Sequence, residues 1–233
     1  MVKRRAAAQS QPPPLLFGDV LARAAEFQRL VPGTVLVGGA AAALHAQHRQ
    51  SFDHGHVISD LEDRFDAILD NLEAVGDWSL ARAQPGKIIL GSLGGIETGL
   101  RQLIRSRPLE TEQIDIEGAL LVVPTIEEIL RIKAWLALTR NQTRDYVDLA
   151  ALCDRMGVEA AARTLAAIDR YYADINNRPE AVATQVVRQL ADARPRDPRT
   201  TKELSSYKGL VARWHDWSEV RGVLARVARA MVS

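Results

Sequence analysis

Residues 35–39 read VLVGG and residues 49–53 read RQSFD, and these two stretches decide the fold. A glycine pair that directly follows a short apolar run allows backbone N–H groups to approach a phosphate closely. Gly38 and Gly39 are therefore candidate phosphate-binding residues. An acidic residue shortly afterwards, Asp53, is a candidate ligand for a Mg²⁺ ion held against that phosphate. The two stretches together indicate nucleotide chemistry.

The composition is that of a globular protein without a strong global charge. Of the 233 residues, 47% are hydrophobic and 25% are charged, and the formal net charge is +1. The single cysteine, Cys153, excludes an internal disulfide framework and favours a reducing compartment. No apolar run approaches the roughly 18–20 residues that a membrane-spanning helix needs. We therefore expect a cytoplasmic protein with no membrane partner.

The first half of the chain alternates helical and extended patterns. Apolar residues recur at helical spacing over residues 15–30 and over Leu61–Leu72, and Ala40–His45 has the small residues of a helix packed close to a strand. Val35–Val37 and residues 51–58 have strand character. Further strands are predicted at Ser79–Ala83, Lys87–Leu93, Ile96–Ile104, Glu112–Ile116 and Leu120–Val123. The order of these elements indicates a mixed α/β sheet.

The second half of the chain is predicted to be helical. Thr125 and Glu128 form a capping-box pattern at the start of a helix, and another helix begins at Asn141 or Thr143. The chain is thus divided into a disordered arm at 1–14, an α/β domain at 15–123 and a helical domain at 124–233.

Three groups of polar residues are candidates for chemistry. Lys133 lies on the apolar stripe of its helix, where it either extends its charge to solvent or reaches inward to a phosphate. Residues 140–148, RNQTRDYVD, contain two arginines and two aspartates, which form either a capped helix with surface ion pairs or part of a site. His54 and His56 share one face of a predicted strand and are expected to pack inward or to line a polar site.

These motifs carry a resemblance to a known family. The glycine pair and RQSFD, followed by KAWLAL at residues 133–138 and RDYVDL at residues 144–149, resemble the minimal nucleotidyltransferase fold of the DNA polymerase β superfamily. The pattern is most similar to the bacterial AbiEii toxin-like branch, over about residues 33–155. The resemblance implies a mixed sheet with flanking helices, followed by a helical C-terminal half.

The resemblance also implies an activity. It implies Mg²⁺-dependent (or Mn²⁺-dependent) transfer of a nucleotide from an NTP to RNA or protein, in a toxin-type enzyme with a cognate antitoxin. Asp53 and Glu97 would bind the metal ion, and these two residues with Lys133 and Asp145 would be catalytic. The nucleotide-binding residues would be Gly38, Gly39, Ser51, Lys133 and Arg140.

The predicted catalytic strand departs from the family pattern at one position. Asp53, residue 55 and Val57 point to one face of a strand, and residue 55 is glycine where the family has a second aspartate. A β-bulge at Gly55 would bring His56 into the site as a metal ligand. Alternatively, Asp60 would substitute for the missing acid.

The third possibility for this strand is that catalysis is lost. The domain would then persist as a pseudoenzyme that binds nucleotide or a partner protein. The identity of the further acid is also open between Glu97 and Asp115. We favour Glu97, because a strand flanked by glycines permits close approach of a ligand.

Overall fold

Turn residues divide the first half of the chain into short strands and helices. The computed structural model describes residues 16–207 and 209–233, and the predicted arm at 1–14 lies outside this part. The elements of this half are α1 (Phe17–Leu30), β1 (Val35–Val37), α2 (Gly38–Ala46), β2 (Asp53–Ile58), α3 (Leu61–Glu73), β3 (Trp78–Gln84), β4 (Ile88–Leu93) and β5 (Ile96–Gln102). Helix α2 begins two residues earlier than predicted, so the glycine pair forms its first turn.

These strands form one mixed sheet in the order β1-β2-β5-β4-β3, which confirms the predicted fold class. Strand β2 pairs with β5 in parallel, whereas the other neighbours are antiparallel. Two further strands, β6 (Thr111–Ile116) and β7 (Ala119–Pro124), form a separate antiparallel hairpin. Because β2 and β5 are central and parallel, their first residues meet at the same edge of the sheet.

One face of this sheet is covered by α1 and α3. Phe27 of α1 and Phe65 of α3 pack with apolar residues of β4 and β5 into a compact cluster. In a strand successive side chains point to opposite faces, so every second residue of β2 and β5 points away from this cluster. The uncovered face is therefore available to line a site.

The second half of the chain is helical, as predicted. Its helices are α4 (Ile126–Thr139), α5 (Thr143–Met156), α6 (Val158–Ala166), α7 (Asp169–Tyr172), α8 (Val182–Ala191), α9 (Pro198–Lys202) and α10 (Trp217–Ala230). The side chain of Thr125 caps α4 by accepting a hydrogen bond from the Glu128 backbone N–H at 3.2 Å. One apolar core joins these helices, except α9, to α1, α2 and β7. Packing is therefore continuous across residue 123, where the predicted domain boundary stays a prediction.

Candidate active site

A large cleft of about 1240 Å³ lies against the uncovered face of the sheet. It is bounded by β2 and β5 on one side and by α4 and the first turn of α5 on the other. Among the predicted site residues, the cleft is lined by Gly38, Gly39, Asp53, Glu97, Lys133, Arg140 and Asp145. Residues from both predicted sequence blocks therefore meet at one place.

Asp53 and Glu97 lie side by side on the cleft face. They are direct partners in the parallel register of β2 and β5, and both side chains are exposed. Neighbouring strands are about 4.8 Å apart, so the two carboxylates can reach one cation. The hydroxyl of buried Ser51 donates a hydrogen bond of 2.9 Å to Asp53 Oδ1, which fixes the orientation of that carboxylate. Ser51 therefore positions Asp53.

The other two candidate acids lie elsewhere. Asp115 is in the β6–β7 hairpin, where its Oδ1 accepts a hydrogen bond of 2.9 Å from the Gly118 backbone N–H. Asp60 precedes α3 and lies 3.4 Å from Arg64 Nη1. Neither residue lines the cleft. The geometry thus favours Glu97 over Asp115 and does not place Asp60 where it would replace the missing acid.

The structure corrects the assignment of His56 as a metal ligand. Strand β2 keeps a regular parallel register with β5 through Gly55, so the bulge that would bring His56 into the site is not formed. His56 therefore points to the opposite face from Asp53, where its ring packs 4.7 Å from the ring of Phe27. Burial, followed by the neighbouring His54, lowers the pKa of His56 well below its usual value. His56 is an inward-packed neutral imidazole.

The cleft has empty space beside Gly55. A Cβ atom added there would meet nothing within 4 Å, and the backbone is not in the left-handed region, so neither packing nor conformation requires glycine. Its partner on β5 is Gly99, also a glycine. The cleft face thus carries the acids Asp53 and Glu97, and the next pair of positions on this face, Gly55 and Gly99, has no side chains.

Lys133 does not extend to solvent, because it reaches into a buried charged cluster. Its side chain is buried, and Nζ lies 2.6 Å from Asp148 Oδ2 and 3.2 Å from Asp145 Oδ1. Arg49 Nε donates to Asp148 Oδ1 at 2.7 Å. Burial by itself would raise the pKa of Asp148, but Arg49 and Lys133 outweigh it and hold that pKa well below its usual value. The cluster therefore stays ionised and fixes Lys133 at the cleft wall.

Arg49 and Asp148 are the residues that the sequence reasoning missed. Both lie inside the quoted motifs, but they are 99 positions apart, and a single sequence contains no signal that pairs them. Arg49 also accounts for Gly39, since a Cβ atom there would lie 2.3 Å from Arg49 Nη2. Gly38 has a φ of 76°, a conformation that favours glycine. Each glycine of the pair thus has its own structural reason.

Arginines surround the acids on the cleft wall. Arg101, Arg140 and Arg144 line the cleft, and none of them pairs with a carboxylate among residues 16–207 and 209–233. Burial first, and then repulsion from Arg140 and Arg82, lowers the pKa of Arg101. A group of mutually repelling cations beside two carboxylates is the charge pattern expected for a polyphosphate with a metal ion.

The donor set fits one Mg²⁺ ion. Mg²⁺ commonly takes one or two protein carboxylates and completes its octahedron with substrate phosphates and water. Asp53 and Glu97 supply that number. Within the described residues no group of three or more His, Cys, Asp or Glu side chains is arranged to hold a metal ion. The residues present therefore fit one ion held by Asp53 and Glu97.

Comparison with solved structures supports the fold. A candidate nucleotidyltransferase from H. pylori superposes with a TM-score of 0.50 at 16% identity, over 92% of each chain. The chain therefore has the nucleotidyltransferase fold. No protein-family model matches the sequence.

Sequence comparison finds a partial similarity of a different kind. The mycolic acid-containing lipids exporter MmpL11 of Mycolicibacterium smegmatis is 39% identical over 129 residues, which is 55% of this chain and 13% of that protein. The heme uptake protein MmpL11 of Mycobacterium tuberculosis is 37% identical over 145 residues, or 60% of this chain and 14% of that protein. The chain thus spans about an eighth of the length of these relatives. In the described part of the chain, no helix is both long and apolar enough to cross a membrane.

Proposed function

We propose that this protein is a Mg²⁺-dependent nucleotidyltransferase that transfers a nucleotide from an NTP to a hydroxyl group of an acceptor. The observation that carries the proposal is the pairing of Asp53 with Glu97 in one register on the cleft face. Two adjacent carboxylates opposite unpaired arginines form a site for a metal-bound triphosphate.

The residues have separate roles in the proposed reaction. The backbone N–H groups of the first turn of α2, with Arg101 and Arg140, hold the phosphates. Asp145 and Asp148 position Lys133, whose charge lies beside the triphosphate. When bound between Asp53 and Glu97, Mg²⁺ would offset the negative charge that develops on the phosphate oxygens.

The transfer itself is a displacement at the α-phosphorus. Glu97 orients the acceptor hydroxyl and takes its proton. A bond forms between the acceptor oxygen and the α-phosphorus, the bond from that phosphorus to the bridging oxygen breaks, and pyrophosphate leaves. Because the cleft arginines are already in place, they stabilise this charge without reorganising.

A label-transfer screen tests the proposal. Each of the four NTPs, labelled at the α-phosphate, is incubated with the protein and Mg²⁺ or Mn²⁺ in the presence of RNA, protein and small-molecule extracts. Transfer by the wild type and by Asp115→Asn, together with loss in Asp53→Asn, is the expected result. Equal transfer by Asp53→Asn would refute the assigned site. RNA or protein is the acceptor class that the resemblance implies, and a cognate antitoxin would suppress the transfer.

A second candidate function is a nucleotide-binding module without turnover. It is favoured by the glycine at position 55, which leaves one metal carboxylate fewer than the family pattern. Isothermal calorimetry separates the two candidates. Metal-dependent NTP binding without label transfer supports the binding module, whereas no binding at all contradicts both.

A further inference from the structure

The cleft is larger than one nucleotide needs. Ligand pockets for single drug-sized molecules have volumes of about 300–1,000 Å³, and this cleft has about 1240 Å³. The acids and α2 occupy one part of it. Another part of its wall is formed by Arg105, Leu109, Ile132, Trp135, Leu136 and Tyr172, and we call it the acceptor compartment.

Helix α4 presents a second apolar face to this compartment. One face carries Ile129, Leu130 and other fully buried residues of the main core. Ile132, Trp135 and Leu136, spaced by three and four residues, lie on the cleft side and are only half-buried. A half-buried apolar stripe inside a cleft is a surface that an apolar ligand would cover.

Aromatic rings extend this apolar wall. The rings of Trp135 and Tyr172 are stacked, with centroids 4.9 Å apart and planes inclined by 18°. The guanidinium carbon of Arg105 lies 4.9 Å from the centroid of the Tyr172 ring. Burial raises the pKa of Tyr172, and the nearby Arg105 opposes that rise only in part, so the phenol stays neutral. The wall is thus uncharged except at Arg105.

Several contacts hold the Arg105 guanidinium in place, and its Nη1 group makes no hydrogen bond of normal geometry. The Arg105 side chain is 1% exposed, and its Nη2 lies 2.7 Å from Glu128 Oε1. Its Nε donates to the Arg107 carbonyl at 2.9 Å, and Nη2 donates to the Pro108 carbonyl at 3.1 Å. Nη1 is buried and makes no hydrogen bond of normal geometry among the described residues, although the guanidinium also interacts with the Tyr172 hydroxyl. A buried N–H donor without an acceptor is costly, and an anionic oxygen of a ligand would satisfy it.

We infer that the acceptor compartment binds a small apolar or aromatic molecule that carries one anionic group, with the ring or chain against Trp135 and the anion on Arg105. The inference rests on the proposed function in one respect, namely that this molecule is the acceptor. A polycation is disfavoured because the charged group of the compartment is an arginine. A sugar–phosphate chain is disfavoured because the remaining wall is aliphatic and aromatic.

Two fluorescent probes test the inference without requiring activity. The first is 8-anilinonaphthalene-1-sulfonate, which combines an aromatic body with one anion, and the second is its uncharged counterpart N-phenyl-1-naphthylamine. The wild type is expected to bind the anionic probe saturably at one site. Arg105→Met should weaken this binding by about tenfold, since a hydrogen bond to a charged group is lost, and should change the affinity of the uncharged probe by less than about twofold.

Two further variants separate the apolar and anionic contributions. Trp135→Ala should weaken both probes by about tenfold, because it removes the apolar wall that they share. Arg107→Met is the matched control, since Arg107 is exposed, stands two residues away and does not line the cleft. It should leave both affinities unchanged. Equal affinity of wild type and Arg105→Met for the anionic probe would overturn the inference.

A second variant is needed if Arg105→Met does not fold. If near-UV circular dichroism shows Arg105→Met to be unfolded, Arg105→Met with Glu128→Gln removes the buried charge together with the carboxylate that Arg105 shares with Arg131. Arg131 keeps Glu110 as its partner, so this double variant should show the same selective loss. NTP binding measured in parallel keeps this test apart from that of the proposed function, because neither variant touches Asp53 or Glu97. Displacement of the anionic probe by a short RNA, lost in Arg105→Met, would replace the small molecule by RNA and overturn the inference as stated.

Discussion

The two faces of strand β2 are built from adjacent polar residues and have opposite surroundings. Asp53 and Gly55 face the cleft, and Asp53 is exposed. His54 and His56 face the core, where they are 2% and 1% exposed. The register with β5 is regular throughout, so alternation alone separates the two pairs. Polar character therefore does not identify a site residue on this strand. The alternation does, because the odd-numbered positions face the cleft and the even-numbered ones face the core.

The buried face is satisfied by a chain of hydrogen bonds. Thr98 Oγ1 lies 3.0 Å from the Ile96 carbonyl oxygen and 3.1 Å from His54 Nε2. His54 Nδ1 in turn lies 3.0 Å from His56 Nε2, so one of these two nitrogens donates to the other. Burial lowers the pKa of both histidines, so both imidazoles are neutral near neutral pH. The core face thus depends on neutral histidines, whereas the cleft face depends on ionised acids.

Removing the acid on the cleft face should have the largest effect. Asp53→Asn is expected to lower nucleotide transfer by about 10²–10³-fold, as for loss of one electrostatic contact to the transition state. The free energy of unfolding should change by less than about 0.5 kcal/mol, because the side chain is exposed. Label transfer and urea denaturation measure the two quantities. A stability loss matching the activity loss would show that Asp53 is structural.

Lowering the pH should destabilise the protein through His54, which lies on the core face of β2. Burial lowers the pKa of His54 from 6.5 to about 4, in part opposed by Asp53. The unfolded state therefore binds more protons between these values, and stability present above pH 6.5 is lost as pH falls towards 4. His54 alone should lower the free energy of unfolding by on the order of 3 kcal/mol across this pH range. Urea denaturation across this range should show a smaller loss in His54→Gln, and an identical loss would contradict the assignment.

Restoring an acid on the cleft face should have an intermediate effect. Gly55→Asp adds a carboxylate where a Cβ atom meets nothing within 4 Å, so folding should be little changed. A further charged ligand should strengthen Mg²⁺ binding in the presence of NTP by about tenfold. Calorimetry measures this gain. The matched control is Gly99→Ala, whose Cβ atom would lie 3.2 Å from Leu90 Cδ2 and adds no ligand. No gain in Gly55→Asp would show that no metal binds beside Asp53.

The sequence predicted local structure better than long-range contacts. Strand β1 was predicted with its observed bounds, and period-two alternation placed Asp53 and residue 55 on one face. It favoured Glu97 over Asp115 only through the flanking glycines, because the pairing of β2 with β5 joins strands from distant parts of the chain. It also did not show that Lys133 reaches Asp148, because a helical stripe does not reveal which charges lie beneath it. Alternation and helical period are local, whereas the site is assembled by register and packing.

His56→Gln should have the smallest effect on NTP binding, and it distinguishes the core face of β2 from the cleft face most directly. If His56 were a metal ligand, His56→Gln would weaken metal-dependent NTP binding as strongly as loss of a carboxylate. The regular register and the contact with Phe27 instead predict a change of less than about twofold. The same variant should lower the free energy of unfolding by about 1–2 kcal/mol, because the ring contact and the hydrogen bond to His54 are disturbed. Calorimetry and urea denaturation on one preparation measure both quantities. A tenfold loss of NTP affinity with unchanged stability would place His56 on the cleft face and refute the assignment of faces from which these predictions start.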